Sequence, residues 1–112
     1  MTDGSVFSVQ VDRDGPGARI VVAGEVDLDS EQRLVEATLR AVDAPPEGGA
    51  VPSEAVIDLG AVTFMDSSGL RALLRCRNLL EARGVPLRVV VPGGPVARLF
   101  EVAGVTGNFD YR

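Results

Sequence analysis

Ser67 and Ser68, preceded by Asp66 and followed by Gly69, are the residues of this sequence whose types and spacing most invite chemistry. Paired serines at the start of a helix suggest a hydrolase, whose nucleophile sits on a strand-to-helix turn inside a G-x-S-x-G pattern. That pattern is absent. Met65 stands where Ser67 would need the first glycine, and no histidine exists to activate a serine. None of the 16 aspartates and glutamates is framed by a recognisable catalytic spacing, so no catalytic residue is assigned. The functional class indicated is binding rather than catalysis.

Other candidate chemistries are equally thin. Pro92-Gly93-Gly94-Pro95 at the head of a helix offers amides to an anion, but two glycines without a lysine or a longer glycine pattern read more simply as a turn. Every basic residue is an arginine, so the lysine of a Walker-type loop is missing. Cys76 is the single cysteine and has the phase of a buried helical stripe, which indicates packing rather than redox work. One cysteine and no histidine leave no disulfide and no soft ligand set, so no metal is expected. Asp66, Ser67 and Ser68 also suit plain helix capping, because their oxygens can accept bonds from first-turn amides. Gly69 is harder to explain locally, since glycine costs about 1 kcal/mol against alanine inside a helix. Close approach of another backbone would account for it.

The elements that must position these residues follow from pattern. Val6 to Val11 and Ile20 to Ala23 flank Asp12-Arg13-Asp14-Gly15-Pro16-Gly17 and read as a β-hairpin. Gly24 to Asp29 is expected as a loop, with Asp29 and Gln32 as a capping box opening a helix over residues 30–43. Ala44 to Ser53, with three prolines and two glycines, is expected as an exposed loop. Ala55 to Leu59 is nearly all apolar and predicts a strand buried on both faces. Gly69, Leu73, Cys76 and Leu80 recur at helical spacing, with Arg71, Arg75 and Asn78 opposite, and Gly84 and Pro86 end that helix. Leu87 to Val91 predicts a strand, Val96 to Ala103 a short helix stopped by Gly104, and Phe109 to Tyr111 a last strand.

This order predicts an α/β fold: a mixed, mostly parallel sheet of four or five strands, an antiparallel edge hairpin and about three helices. With 112 residues, one domain spanning 1–112 is expected. Hydrophobic residues at 46% and charged residues at 24% match a chain that folds by itself. A net charge of −5 and a pI near 4.6 lack the footprint that draws proteins to nucleic acid or anionic lipid. No secretion-type leader and no apolar run long enough for a bilayer are legible, so direct membrane insertion is not expected and cytoplasm is the default compartment.

Phe64-Met65-Asp66-Ser67-Ser68-Gly69-Leu70 after an apolar strand resembles the signature of the STAS domain family, specifically the bacterial anti-sigma factor antagonists. Two further segments resemble the family in the right order: Gly24-Glu25-Val26-Asp27, and the late helix Val96 to Ala103 with Gly104-Val105. The resemblance implies partner switching. The unmodified antagonist would bind an anti-sigma factor that is also a serine kinase, releasing a sigma factor to direct transcription. The kinase would then phosphorylate Ser67, abolishing binding, and a PP2C-type phosphatase would restore it. ATP and magnesium would belong to the kinase, leaving this chain without a cofactor. Glu25, Asp27, Asp66, Ser67, Ser68, Gly69 and Leu70 are the partner-binding residues it implies, although Asp27 could equally order its own turn. The rival within the family is a non-switching scaffold or accessory subunit of a signalling assembly or lipid transporter. The long loop at Ala44 to Ser53, and an end at Arg112 where many members continue into a final helix, depart from the family pattern.

A phosphate brings about −1.5 to −2 charges and three acceptor oxygens. A helix start tolerates such an anion, whereas at a docked surface it costs several kcal/mol, each 1.4 kcal/mol being about a tenfold loss of affinity. A binding switch without unfolding is the expected result.

Overall fold

Gly15, at φ 60°, and Pro16 turn the chain between β1 (Ser8–Asp14) and β2 (Gly17–Val26), which pair antiparallel as expected. A computed structural model of the chain describes residues 7–43, 51–91, 93–103 and 110–111. After β2 come α1 (Leu28–Asp43), β3 (Ala55–Met65), α2 (Ser67–Glu81), β4 (Leu87–Val90), α3 (Pro95–Ala103) and β5 (Asp110–Tyr111). Among the described residues five strands lie in the order β1-β2-β3-β4-β5, with every pair after the first parallel. The α/β architecture with an antiparallel edge hairpin is therefore the one the sequence predicts. Most of the Pro/Gly loop, the Gly104 stop and Phe109 lie outside the described residues.

Two strands are longer than their sequence patterns. β2 continues to Val26 and β3 to Met65, through register shifts between Val21 and Ala23 and between Gly24 and Glu25. These irregularities break the alternation that marks a strand in sequence. Beyond Asp58, moreover, β3 has outrun β4, and Gly60, Ala61, Thr63 and Phe64 stand exposed. β3 is the central strand, and its Ala55, Val56, Ile57 and Leu59 are buried as the apolar run predicts, but the strands beside it are less evenly covered. In β2 and β4 buried residues alternate with half-buried ones, so one face is packed and the other half-open. Ala18, Ile20, Val22, Ile57, Leu59, Leu87 and Val89 line the packed face. On the open side Arg19 pairs with Asp58, whose carboxylate also accepts the Gly60 amide at 2.8 Å.

Helices α1 and α2 pack against each other and the sheet. Leu34, Val35, Ala41 and Val42 on α1 meet Leu73, Cys76 and Leu80 on α2 in one core. Burying a leucine of this kind contributes about 1.5–3 kcal/mol. The end of α2 is a Schellman motif: Val85 N–H donates to Leu80 O at 2.9 Å and Gly84 N–H to Glu81 O at 3.0 Å, with Gly84 at φ 73°. Arg83 then reaches both carboxylate oxygens of Asp43, at 2.6 and 2.9 Å, clasping the far ends of the two helices. α3 packs against β3 and contributes Val96 and Phe100 to the core.

Candidate functional site

β2 and β3 run parallel and end together, Val26 pairing with Met65, so the turns into α1 and α2 emerge side by side at one end of the sheet. The Asp66 amide donates to Val26 O at 3.4 Å and ties one turn to the other. Asp66 caps α2: its backbone is extended, and its Oδ1 accepts from the amides of Ser68 at 2.9 Å and Gly69 at 3.3 Å. One carboxylate thus does the capping for which three polar residues were candidates. Ser67, the first residue of α2, is exposed, and its hydroxyl has no hydrogen-bond partner among the described residues. Ser68 is half-buried.

The neighbouring turn is built on Asp27. Its Oδ1 accepts from the amides of Asp29 at 3.1 Å and Ser30 at 3.3 Å, while its own amide donates to Ser30 Oγ at 2.8 Å. This is a reciprocal capping box, and it corrects the expected one at Asp29 and Gln32. The helix starts at Leu28 because β2 runs on to Val26, which moves the cap two residues earlier. Of the two readings of Asp27, ordering its own turn is the one these bonds describe. Glu25, paired with Phe64 across the strands, is exposed.

Gly69 is buried and brings α2 close to β2. A Cβ there would lie 2.5 Å from Met65 Cγ, 3.0 Å from Val26 O and 3.1 Å from Val26 Cγ1. The close backbone approach inferred from the glycine's cost is present. Gly69 shapes the site from inside rather than offering a contact. Leu70 requires a correction, because it is only 5% exposed and joins the core. Lying three residues before Leu73, it widens the buried stripe instead of facing a partner.

Arg71 and Arg75 do face outward, but not as a free solvated surface. Arg71 reaches Glu31 through Nη2 to Oε1 at 3.1 Å and Nε to Oε2 at 3.4 Å, and Arg75 Nη1 donates to Oε2 at 3.2 Å. Hydrogen bonding from Arg71, aided by Arg75, holds the Glu31 carboxyl below the usual glutamate range against its partial desolvation. Glu31 joins α1 to α2 one turn below the serine, and sequence reasoning missed it because the pairing spans 40 residues. It also missed Leu28 and Phe64, 65% and 48% exposed, which flank the two turns. For Leu28 the available signal was an apolar residue set between Asp27 and Asp29.

Elsewhere the other candidates resolve as packing or turn. Burial pushes the Cys76 thiol up to about 11, and its Sγ–H meets Thr38 Oγ1 at 3.5 Å. Gly94, at φ 77°, turns the chain into α3, where its carbonyl accepts the Arg98 amide at 3.0 Å. Among the described residues no three or more His, Cys, Asp or Glu side chains group as a metal site, and no helix is long and apolar enough to cross a membrane.

The family model described as "Mlab, STAS domain" matches residues 9–109. The chain belongs to the STAS domain family. An anti-sigma factor antagonist from Mycobacterium paratuberculosis resembles this STAS domain at 25% identity and a TM-score of 0.80, over 99% of this chain and 89% of that one. The anti-sigma factor antagonist SpoIIAA in its unphosphorylated form aligns at 22% identity and a TM-score of 0.72, over 94% of this chain and 88% of its own. The phosphorylated form of the Bacillus protein SpoIIAA aligns at 19% identity and a TM-score of 0.62, covering 94% and 91%. The last two likenesses establish the fold alone. No curated protein sequence matches the chain. Within this STAS domain, Ser67 opens the helix that follows the longest strand of the sheet.

Proposed function

We propose that this STAS domain acts in the cytoplasm as an anti-sigma factor antagonist that works by partner switching, and that its whole chain serves as one non-enzymatic binding unit. The observation that carries the reading is Ser67: an exposed hydroxyl, without a hydrogen-bond partner among the described residues, at the first position of a helix whose cap is already supplied by Asp66. A serine left out of the capping network is free to be modified without loss of the fold. The likeness to an anti-sigma factor antagonist over 99% of the chain supports the partner class.

In this reading an anti-sigma factor serine kinase docks across the two turns, on Glu25, Asp66, Ser67, Ser68, Leu28 and Phe64. Asp27 holds the first turn in shape. Phosphoryl transfer from the kinase's ATP forms a bond from Ser67 Oγ to the γ-phosphorus, breaks the bond from that phosphorus to its bridging oxygen, and releases ADP and the hydroxyl proton. The new dianion would lie next to Asp66 in the chain, and an interface closed over it would bury uncompensated negative charge. Hydrolysis by a PP2C-type phosphatase returns serine and inorganic phosphate.

The test is capture from the native cytoplasm by wild-type, Ser67→Ala and Ser67→Asp forms, with mass spectrometry of the partners and of Ser67. A kinase-type anti-sigma factor should bind the first two and not the third, with phosphate found on Ser67. Capture of the same scaffold or transporter proteins by all three forms, with Ser67 unmodified, would replace this reading by the non-switching one.

A further inference from the structure

We propose that Arg71 is the internal partner of a phosphate on Ser67, exchanging its ion pair with Glu31 for one with the phosphoserine while Arg75 keeps Glu31 paired. The inference rests on Ser67 as the modified residue. Its evidence is the arrangement of four side chains on the first three turns of α2 and the first turn of α1.

Arg71 follows Ser67 by four residues, so the two lie on the same side of the helix, and helical side chains lean toward the N-terminus, here toward Ser67. The Arg71 side chain is 57% exposed, against 10% for Glu31. Its guanidinium gives Nε and one Nη2 hydrogen to Glu31, leaving Nη1 unassigned toward either oxygen of that carboxylate. The Asp66 carboxylate already acts on the Arg71 guanidinium across the first turn, as does Glu31, and both favour its charged form. A dianionic phosphate beside Asp66 would therefore meet this cation at short range.

The double hold on Glu31 is what makes the exchange feasible. A buried carboxylate left without a partner is costly, and a single arginine would be pinned by it. Here Oε2 accepts from both arginines, so Arg75 at 3.2 Å remains when Arg71 swings away. The phosphate also outbids a single carboxylate, because it carries more charge and three acceptor oxygens. The result would be a phosphate folded along α2 and a clamp between α1 and α2 reduced to one arginine. Phosphorylation would thus be felt at the first turn of α1, beside Leu28, as well as at Ser67.

The test uses full-length protein carrying phosphoserine at 67, incorporated during synthesis, so it needs no kinase. The second ionisation of the phosphate is followed by 31P NMR in the otherwise wild-type protein and in Arg71→Gln, Arg71→Lys, Arg75→Gln and Arg98→Gln forms. Arg71→Gln should raise that pKa by about half a unit or more, with Arg71→Lys restoring much of the depression and Arg98→Gln leaving it in place; Arg75→Gln, which leaves Arg71 to hold Glu31 by itself, should raise it by a smaller amount. An unchanged value in Arg71→Gln, or a larger rise in Arg75→Gln or Arg98→Gln, overturns the proposal. Should Arg71→Gln fail to fold, the Nε–Hε resonances of the otherwise wild-type protein decide: that of Arg71 should move on phosphorylation and that of Arg75 should not, and a static Arg71 signal overturns it. Absence of Ser67 phosphate in cells would defeat partner switching while leaving this result intact.

Discussion

A methyl group on Gly69 would stand 3.0 Å from the Val26 carbonyl oxygen, so the helix bearing Ser67 is seated as close to β2 as its backbone allows. Gly69→Ala sets a gain against a loss. Alanine is better than glycine in a helix by about 1 kcal/mol, but overpacking against a backbone oxygen, Met65 and Val26 costs about 1–3 kcal/mol. The loss should win. Urea denaturation should show a lower midpoint, and a midpoint at or above that of the wild type would mean the helix slides outward freely.

The two capping aspartates should behave alike in stability and differently from Glu25. Asp66→Ala and Asp27→Ala each remove amide acceptors from a helix start and should cost about 0.5–2 kcal/mol, with asparagine at either position restoring most of it. Glu25→Ala, on an exposed side chain, should stay within about 0.5 kcal/mol of wild type. Chemical denaturation of the five variants measures all three effects.

Leu28 and Phe64 should matter to binding and not to folding. Both are exposed apolar side chains, Leu28 just after the Asp27 turn and Phe64 near the end of β3, and neither joins the core. Leu28→Ser and Phe64→Ser should each weaken capture of the proposed kinase partner by about tenfold or more while leaving the melting temperature nearly unchanged. Titration calorimetry with the captured partner checks this, and full affinity in both variants would move the docking face elsewhere.

Acid should undo the Glu31 clamp. Because its two arginines hold the Glu31 carboxyl below the usual glutamate range, the pair's contribution is fully present above that range. It is lost as pH falls through the folded-state value. Glu31→Gln should therefore melt below wild type near neutral pH, with the gap closing toward about pH 3. Asp43, held low by Arg83, follows the same trend, so Asp43→Asn is the needed parallel. A gap independent of pH would mean that Glu31 acts by shape and not by charge.

Cys76 should be inert in the folded protein. With its thiol buried and pushed up to about 11, almost no thiolate exists at neutral pH. Alkylation by iodoacetamide should be undetectable natively and rapid in denaturant, whereas fast native labelling would reveal opening between α1 and α2.

Much of this protein was determined locally and could be read in one dimension. The hairpin turn at Gly15-Pro16, the Gly84 stop and the stripe of Gly69, Leu73, Cys76 and Leu80 depend on neighbours a few residues away, where backbone preference and periodicity act. The Asp66-Ser67-Ser68-Gly69 element was legible for the same reason, since capping is a contact among consecutive residues. Only the tertiary structure decided the rest. β3 reaches Met65 because β2 pairs with it through irregular register, Leu70 is core because the sheet lies beneath it, and Asp27 caps because β2 ends at Val26. The Glu31 clamp joins residues 40 and 44 positions apart. Such contacts form only when separate elements meet, so no pattern within a single segment encodes them.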